Sequence, residues 1–581
     1  VLVAAGLGAA ASMIGATGTQ ARTTSAGPPT VTAADLRFTP GTTLRPGRPE
    51  QVGLLAEPVA RMVPDAARYL TTTPHPLYAG GTVLAAKDGR TVQLAAVGQA
   101  LKYGLDGTTV VELPADQQIP ARTDTVWDLA SMSKLFCLTS VVQLIERGRV
   151  DLTSPVARYL PDFAANGKSG ITVRQLLTHT SGLIPDPVPS LWQGYPTYDQ
   201  RVAAILATTP QAPPDTRYVY SDLNFMTLGL LVQEVTGQRL DAYVAEHVTG
   251  PLGMRDTMYN PPAALRPRTA ATEYQPWTNR GIVWGQVHDE NAWALEGVSG
   301  HAGVFSTAAD LAVFAQLWLN GGRYGQARLL SEDTVRRSLT DYNTPLGFPS
   351  DPHGLGWELN LHWYMGAISS PVTFGHTGYT GTDLVADPVG HQFVVFLTNR
   401  VHPSRDWGSN NVARRAMVDD LGLASPVRPA VGPTDWFAGR VDHHASTLVV
   451  PLRRPAPGGG RLDFRLWYDT EAGYDLVTLE SSVDGSTWAA LAFALSTGGH
   501  HWTTDGTVSG WSGRRWLSGA ADLPAGTTAL RWRYTTDPED QGRGVYLDGL
   551  RAYGHTGLLF DGETSADAAR IVADGWTVAT T

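Results

Sequence analysis

The chain has a single cysteine, Cys137, so no intrachain disulfide holds it together. Cys137 sits in the apolar run 135–145 with no His or Asp repeating beside it, and it reads as a small buried hydrophobe rather than a nucleophile. Runs of Lys and Arg are missing, and 44 basic against 54 acidic residues leave a formal charge of −10. That balance argues against a nucleic-acid binder. No His-Glu-x-x-His run occurs, and His443-His444 and His500-His501 have no partners at metal-ligand spacing, so no metal and no other cofactor is expected. Gly-x-Ser-x-Gly is also absent, which disfavours an α/β-hydrolase fold.

What is present describes a globular chain, 43% apolar and 17% charged. Its 581 residues exceed one ordinary core, so two folded domains are expected. Residues 1–21 are small and apolar and lack a basic n-region. They read as the core and cleavage region of an incomplete signal peptide, which predicts a secreted, extracellular protein, with a retained membrane anchor as the alternative. Residues 22–47 read as a tether.

Residues 48–425 form the first expected domain. A helix is predicted from Pro58 to Tyr69, and Asp88-Gly89 marks a hairpin between two β-rich runs. Thr172-x-x-Gln175 and Thr307-x-x-Asp310 announce helix starts, and Phe225, Leu228, Leu231, Val232 and Val235 line one face of a helix that stops at Gly237. Strand patterns return after Trp357. Hairpins near both ends with helices between predict an α/β sandwich whose antiparallel sheet draws on distant parts of the chain. Residues 426–435 read as a linker by composition. In 436–581, Leu462, Phe464, Leu466 and Tyr468 alternate with polar residues, as do Leu530, Trp532 and Tyr534, which predicts an all-β, jelly-roll-like sandwich. Its eight tryptophans are expected to fill that core; exposed, they would instead offer a platform for cell-wall polysaccharide.

Asp128-Leu-Ala-Ser-Met-Ser-Lys134 leads directly into the helical run 135–145, in which Leu135, Leu138, Val142 and Ile145 recur at helical spacing. Ser131 and Lys134 therefore share one face within a turn. A serine hydroxyl needs a base to become a nucleophile, and a lysine held beside it on a half-buried helix can serve. Further along stand Tyr220-Ser-Asp222 and His376-Thr-Gly378.

These three motifs, in this order, resemble the serine β-lactamase and penicillin-binding-protein superfamily on its class C side, with its esterase and D-aminopeptidase-like members. The stretches at 176–183, 300–316 and 397–400 are similar to that family too, and the resemblance spans about residues 45–425. It implies a serine hydrolase in which Ser131 is the nucleophile and Lys134, Tyr220 and His376 complete the catalytic group. Either Lys134 or Tyr220 can take the serine proton. The oxyanion hole is expected from the backbone N–H groups of Ser131 and Tyr379, with Asp222, Thr377, Gly378 and Tyr379 contacting the substrate. His376 stands where β-lactamases usually have lysine, and at an ordinary histidine pKa it is a partly protonated cation at neutral pH; Asp222 replaces an asparagine. Both departures weaken the case for efficient turnover of D-Ala-D-Ala ends or penicillins; the expected substrate is an ester or amide, cell-wall peptides among them, cleaved by an esterase, D-amino-acid peptidase or β-lactamase type of reaction, with a barely turning-over penicillin-binding sensor as the alternative. His179 and His301 are expected to be structural, the pair Asp289-Glu290 to be solvated, and the loops 185–214 and 257–296 to shape the pocket. The segments 466–488 and 531–550 resemble jelly-roll domains appended to immune-inhibitor-A-like metallopeptidases. The partner expected is a small-molecule or peptide substrate; the pattern carries no signal for oligomeric state.

Overall fold

The computed structural model describes residues 30–348 and 351–581. The leader-like segment 1–21 lies outside them. From Ala33 the expected tether is instead part of the folded body. Ala33 and Leu36 are buried in the main core, Asn320 Nδ2 donates to Thr42 O at 2.8 Å, and Arg45–Pro46 pairs parallel with Arg90 and Thr91. Two apolar side chains and a few backbone bonds dock a stretch whose composition alone reads as loose. No helix among the described residues is long and apolar enough to cross a membrane.

The larger body is built on one sheet. Strands β1 (Gly80–Lys87) and β2 (Arg90–Leu101) form the predicted hairpin, with Asp88 at φ 49° and Gly89 at φ 72° in the left-handed geometry of a tight two-residue turn. Strands β3 (Phe374–Gly378), β4 (Thr382–Asp387) and β5 (Gln392–Thr398) come from nearly 300 residues later. β5 pairs antiparallel with β1, giving the order β2-β1-β5-β4-β3. Alternate side chains of each strand enter different cores. Leu384, Ala386, Phe393 and Val395 face one cluster, whereas Val385, Val394 and Phe396 face the other.

Helices cover both faces. α1 (Ala56–Arg68) lies on the second face, and α2 (Lys134–Glu146), α3 (Asp222–Thr236) and α4 (Ala308–Leu319) build up the first. α5 (Asn411–Leu423) joins α1. Thr172 accepts from Gln175 N and Thr307 from Asp310 N, so both predicted caps form, and Gly237 ends α3 at φ 71°. α2 departs from its expected single apolar face: residues 134–144 are buried all round, and Phe136 stacks on Phe314 at 4.9 Å. A helix this enclosed carries Lys134 into the protein interior, which decides its chemistry below.

Residues 435–579 form two facing antiparallel sheets. Leu462, Phe464 and Leu466 from one meet Leu448, Leu479 and Trp532 from the other, while Arg531 and Arg533 turn outward to Glu480. Trp467, Trp502, Trp532 and Trp576 are buried, and none of the eight tryptophans is among the fully exposed side chains. The expected linker is docked: Val427 is buried against Trp467 and Tyr546, and Trp516 Nε1 donates to Arg428 O at 2.8 Å. Arg514 reaches from the sandwich to Asp387 at the end of β4 and donates to Ile368 O at 2.7 Å. Arg440 pairs with Asp419 of α5 at 3.1 Å, and Arg415 of α5 pairs with Asp540.

Candidate active site

Ser131 occupies the tight turn Ala130–Ser133 that runs into α2. Ala130 adopts φ 46°, a left-handed conformation costly for a residue with a Cβ. Asp128 holds it there: one carboxylate oxygen accepts from Ala130 N at 2.9 Å and the other from His288 N at 2.6 Å. The turn delivers the Ser131 hydroxyl to Lys134, whose Nζ lies 2.9 Å from Oγ. The same ammonium donates to Tyr220 OH at 2.7 Å and pairs with Asp222 Oδ1 at 2.6 Å. Two motifs separated by about ninety positions thus converge on one buried nitrogen.

Burial by itself would push Lys134 toward the neutral amine, but Asp222 and Tyr220 outweigh it and hold the ammonium above the ordinary lysine value. Burial pushes Tyr220 up to about 12 even though Lys134 opposes it. His376 is displaced the other way, down to about 3, by burial and by the nearby Lys134 charge. The partly charged histidine expected from an ordinary value is therefore corrected: His376 is neutral at physiological pH. Its Nδ1 donates to Thr377 O at 2.7 Å, and its ring lies 6.2 Å from that of Tyr220.

β3 reaches Ser131 because of its glycines. A Cβ on Gly378 would stand 2.3 Å from Leu129 O, so only glycine lets this strand meet the turn before Ser131. Gly381, at φ 109°, closes the turn to β4, and its N–H donates to Gly378 O at 2.9 Å. Thr380 Oγ1 donates to Asp128 O at 2.6 Å, and Thr382 Oγ1 to Leu129 O at 3.1 Å. The backbone of Tyr379 is thereby stitched to that of Ser131. Arg414 of α5 completes the brace, donating to Gly378 O at 2.6 Å and to Thr382 O at 3.1 Å. Its counter-ion Asp383 is fully buried 3.6 Å away.

The cleft over Ser131 encloses about 360 Å³. Thr377, Gly378 and Tyr379 line it as expected, but its far wall does not come from the loops 185–214 and 257–296. Tyr218, Glu358, Trp363, Arg400 and Arg414 supply it. Burial pushes Glu358 up to about 7, against the hydrogen bond it accepts from Tyr364 OH at 2.7 Å. Arg400 lies in the family-like stretch 397–400, yet nothing in the pattern marks it; Arg414 stands in a helix with no motif at all. A larger cavity of about 720 Å³, beside residues 198–206 and the end of α3, is lined by none of Ser131, Lys134, Tyr220 and His376.

His179 is structural as expected and also orients the site. Its Nδ1 accepts from Ser221 N at 3.0 Å, and its ring packs 4.7 Å from Tyr220. Ser133 Oγ accepts from Val304 N at 2.9 Å and faces away from the reaction. The pair Asp289-Glu290 is not solvated: Asp289 accepts from Ala292 N and from His301 Nε2, and Glu290 pairs with Arg405 at 2.6 Å. Asp222, Asp289 and His301 bring three ligand-type atoms within 4.8 Å of one another. Lys134 already occupies Asp222, and His301 already occupies Asp289.

A family model described as Beta-lactamase matches residues 70–418, ending short of the sandwich. A "Putative D-alanyl-D-alanine carboxypeptidase" of Escherichia coli (strain K12) is 36% identical over 383 residues, covering 61% of this chain and 85% of that protein. A protein of the same description from Salmonella agona (strain SL483) is 36% identical over 358 residues, covering 56% and 79%. Among solved structures, a penicillin-binding protein homolog from Caulobacter crescentus superposes with a TM-score of 0.50 at 19% identity, over 64% of this chain and 99% of that one.

Proposed function

The chain belongs to the beta-lactamase family and is a serine hydrolase; from that premise we propose that it cleaves D-amino-acid peptides or esters of cell-wall type through an acyl-enzyme on Ser131. One observation carries the reading: a buried lysine nitrogen lies within hydrogen-bond distance of both the Ser131 and the Tyr220 hydroxyls, and those two residues line a cleft. In this reading the reacting form is the one in which Lys134 or Tyr220 has first given up a proton to solvent; Ser131 Oγ attacks the carbonyl and its proton passes to that vacated position. The pair then returns the proton to the leaving group, and water releases the acyl chain by the reverse path. The developing oxyanion faces the N–H groups of Ser131 and Tyr379, whose separation is set by the Thr380, Thr382 and Arg414 bonds.

A carboxylate at the substrate's end is supported by charge. Neutral His376 offers none, but Arg400 and Arg414 line the same cleft. Incubation with an N-acylated D-alanyl-D-alanine peptide and with a short-chain ester, followed by mass analysis, tests this reading. Acylation of Ser131 and product release that vanish in Ser131→Ala are expected; undiminished turnover in that variant would sink it.

One observation favours the slower alternative, a penicillin-binding protein with little turnover. With Lys134 held charged and Tyr220 at about 12, the free site keeps no base ready at neutral pH. An acyl-Ser131 adduct that persists for hours would favour it, and one lost within minutes would exclude it.

A further inference from the structure

His301 stands one carboxylate away from Lys134. The segment that carries it is pressed onto both helices that bear the buried ion pair. A Cβ on Gly300 would stand 2.0 Å from Phe225 O of α3 and 2.9 Å from Cys137 Sγ of α2, so only glycine lets the chain run this close. Three residues past His301, Val304 N donates to Ser133 Oγ at 2.9 Å and Val304 O accepts from Leu129 N at 3.0 Å. Asp289 is fixed to the same frame. His288, just before it, donates its N–H to Asp128 at 2.6 Å, and Asp289 itself caps the helix Glu290–Ala294 through Ala292 N at 2.7 Å.

Both ring nitrogens of the buried His301 have acceptors: Nε2 lies 3.0 Å from Asp289 Oδ1 and Nδ1 lies 2.8 Å from Ser299 Oγ. One ring nitrogen and one carboxylate oxygen each of Asp289 and Asp222 lie within 4.8 Å of one another. Asp222 in turn pairs with Lys134 Nζ at 2.6 Å. Lys134, Asp222, His301 and Asp289 thus form a row of alternating charge. Burial by itself would lower His301, but Asp289 and Asp222 outweigh it and hold the imidazolium above the ordinary histidine value, with Lys134 opposing. Asp186, on the loop 185–214, faces the same groups; burial of its carboxyl, together with Asp222 and Asp289, pushes it up to about 6. Asp222 N holds that loop by donating to Pro185 O at 2.8 Å. Lys134 is faced besides by Tyr220, by Glu358 and by the neutral rings of His179 and His376. An anion flanked by two cations holds the proton of each less firmly than it would hold that of one alone.

We infer that His301 is a positioning residue for the Ser131 reaction: clamped by Asp289, its imidazolium shares Asp222 with Lys134 and so loosens the hold of that carboxylate on the lysine proton. The inference rests on the reading of Lys134 and Tyr220 as the groups that exchange the Ser131 proton. Without the imidazolium, Asp222 would serve Lys134 alone, and the proton that must leave before Ser131 reacts would leave only at higher pH.

Two measurements on the full chain test this. The first follows kcat/KM for a chromogenic ester against pH, with and without His301→Gln, which keeps a side-chain amide for Asp289 but no charge. Both chains carry Asp186→Asn, so that the carboxyl titrating at about 6 does not shape the profile. The acid limb is expected to move to higher pH by roughly 1 unit, so the rate on the limb falls roughly tenfold further than the rate on the plateau. A limb that stays in place while the rate falls equally at every pH, or one that moves down, would overturn the inference, since a residue that only supports the fold does not act on one protonation step. The second titrates the His301 ring by NMR in the histidine-labelled parent, with the signal assigned through Asp289→Asn, which changes its Nε2 partner. Its midpoint is expected above the ordinary histidine value and should fall by roughly 1–3 units in Asp222→Asn. A midpoint at or below the ordinary value, or one that Asp222→Asn leaves unmoved, would overturn the inference even if His301→Gln failed to fold. This second readout needs no turnover. Coupling of His301 to Asp222 with no acylation of Ser131 would leave the row of charges standing and reject the proposed reaction; acylation with no coupling would do the reverse.

Discussion

Replacing Asp222 by asparagine probes the electrostatics that distinguish this site. Asp222 Oδ1 lies 2.6 Å from Lys134 Nζ. At an effective dielectric of about 20, a pair at that distance is worth about 6 kcal/mol, or roughly 5 pKa units as an upper bound. Desolvation of both groups and the amide oxygen that asparagine still offers reduce this, and opposite charges at such range shift measured values by roughly 1–3 units. The sign is fixed. Lys134 stands above its ordinary value because Asp222 and Tyr220 outweigh burial, so removing the anion lowers it. Tyr220 is raised by burial and also by Asp222, so it moves the same way. Whichever group accepts the serine proton, the acid limb of kcat/KM should move to lower pH by roughly 1–3 units. The profile is best read from acylation by a chromogenic ester. A Glu358→Gln background removes a cleft carboxyl that titrates near neutrality, at about 7. An acid limb that stays in place, or moves to higher pH, would refute the assignment of Lys134 and Tyr220 as the proton-accepting pair.

Arg414→Lys removes the fork that holds Gly378 O and Thr382 O. It should lower kcat and the affinity for a tetrahedral boronic-acid adduct in parallel, by up to roughly the 100-fold that a lost oxyanion donor costs, with KM little changed; unequal losses would show that the arginine only supports the fold. Arg514→Leu strands the buried Asp387 and Asp469. The urea midpoint of the catalytic body should fall by an amount corresponding to roughly 3–5 kcal/mol, while acylation of Ser131 on the still-folded protein is retained. An unmoved midpoint would mean the two bodies are not held through this contact.

Much of the local architecture is legible in the chain because it depends on near neighbours. Thr172 and Thr307 cap helices through residues three positions away, and Asp88-Gly89 turns because those two residues tolerate positive φ. The alternation at Leu462, Phe464 and Leu466 reports a strand facing one core. Composition misleads where a few long-range contacts reverse it. The stretch 22–47 reads as a tether, yet Ala33 and Leu36 are core residues, and the Pro-rich linker buries Val427. Asp289 and Glu290 read as solvated because charge is judged from its sequence neighbours. Their true partners, His301 and Arg405, lie 12 and 115 positions away.

The site divides along the same line. Ser131, Lys134, Tyr220 and His376 are visible because reacting groups recur in short motifs. Their protonation is not, since it depends on how deeply each is enclosed. An all-round buried α2 makes Lys134 depend on its partners, and the walls around His376 remove the charge that its side chain would carry in water. Arg414 belongs to no motif because its function needs only a guanidinium at one point in space, and a helix 36 residues beyond Gly378 can present it there. The two replacements in the motifs are therefore best understood together. Asp222 places an anion where it holds Lys134 charged, and His376 brings no cation to the cleft. The positive charge facing the substrate has moved from the third motif to Arg400 and Arg414, while the negative charge facing the nucleophile has increased. The substrate class proposed above, with a carboxylate directed at Arg400 and Arg414, is the one this distribution of charge favours, and that end charge is the property by which candidate substrates can be ranked.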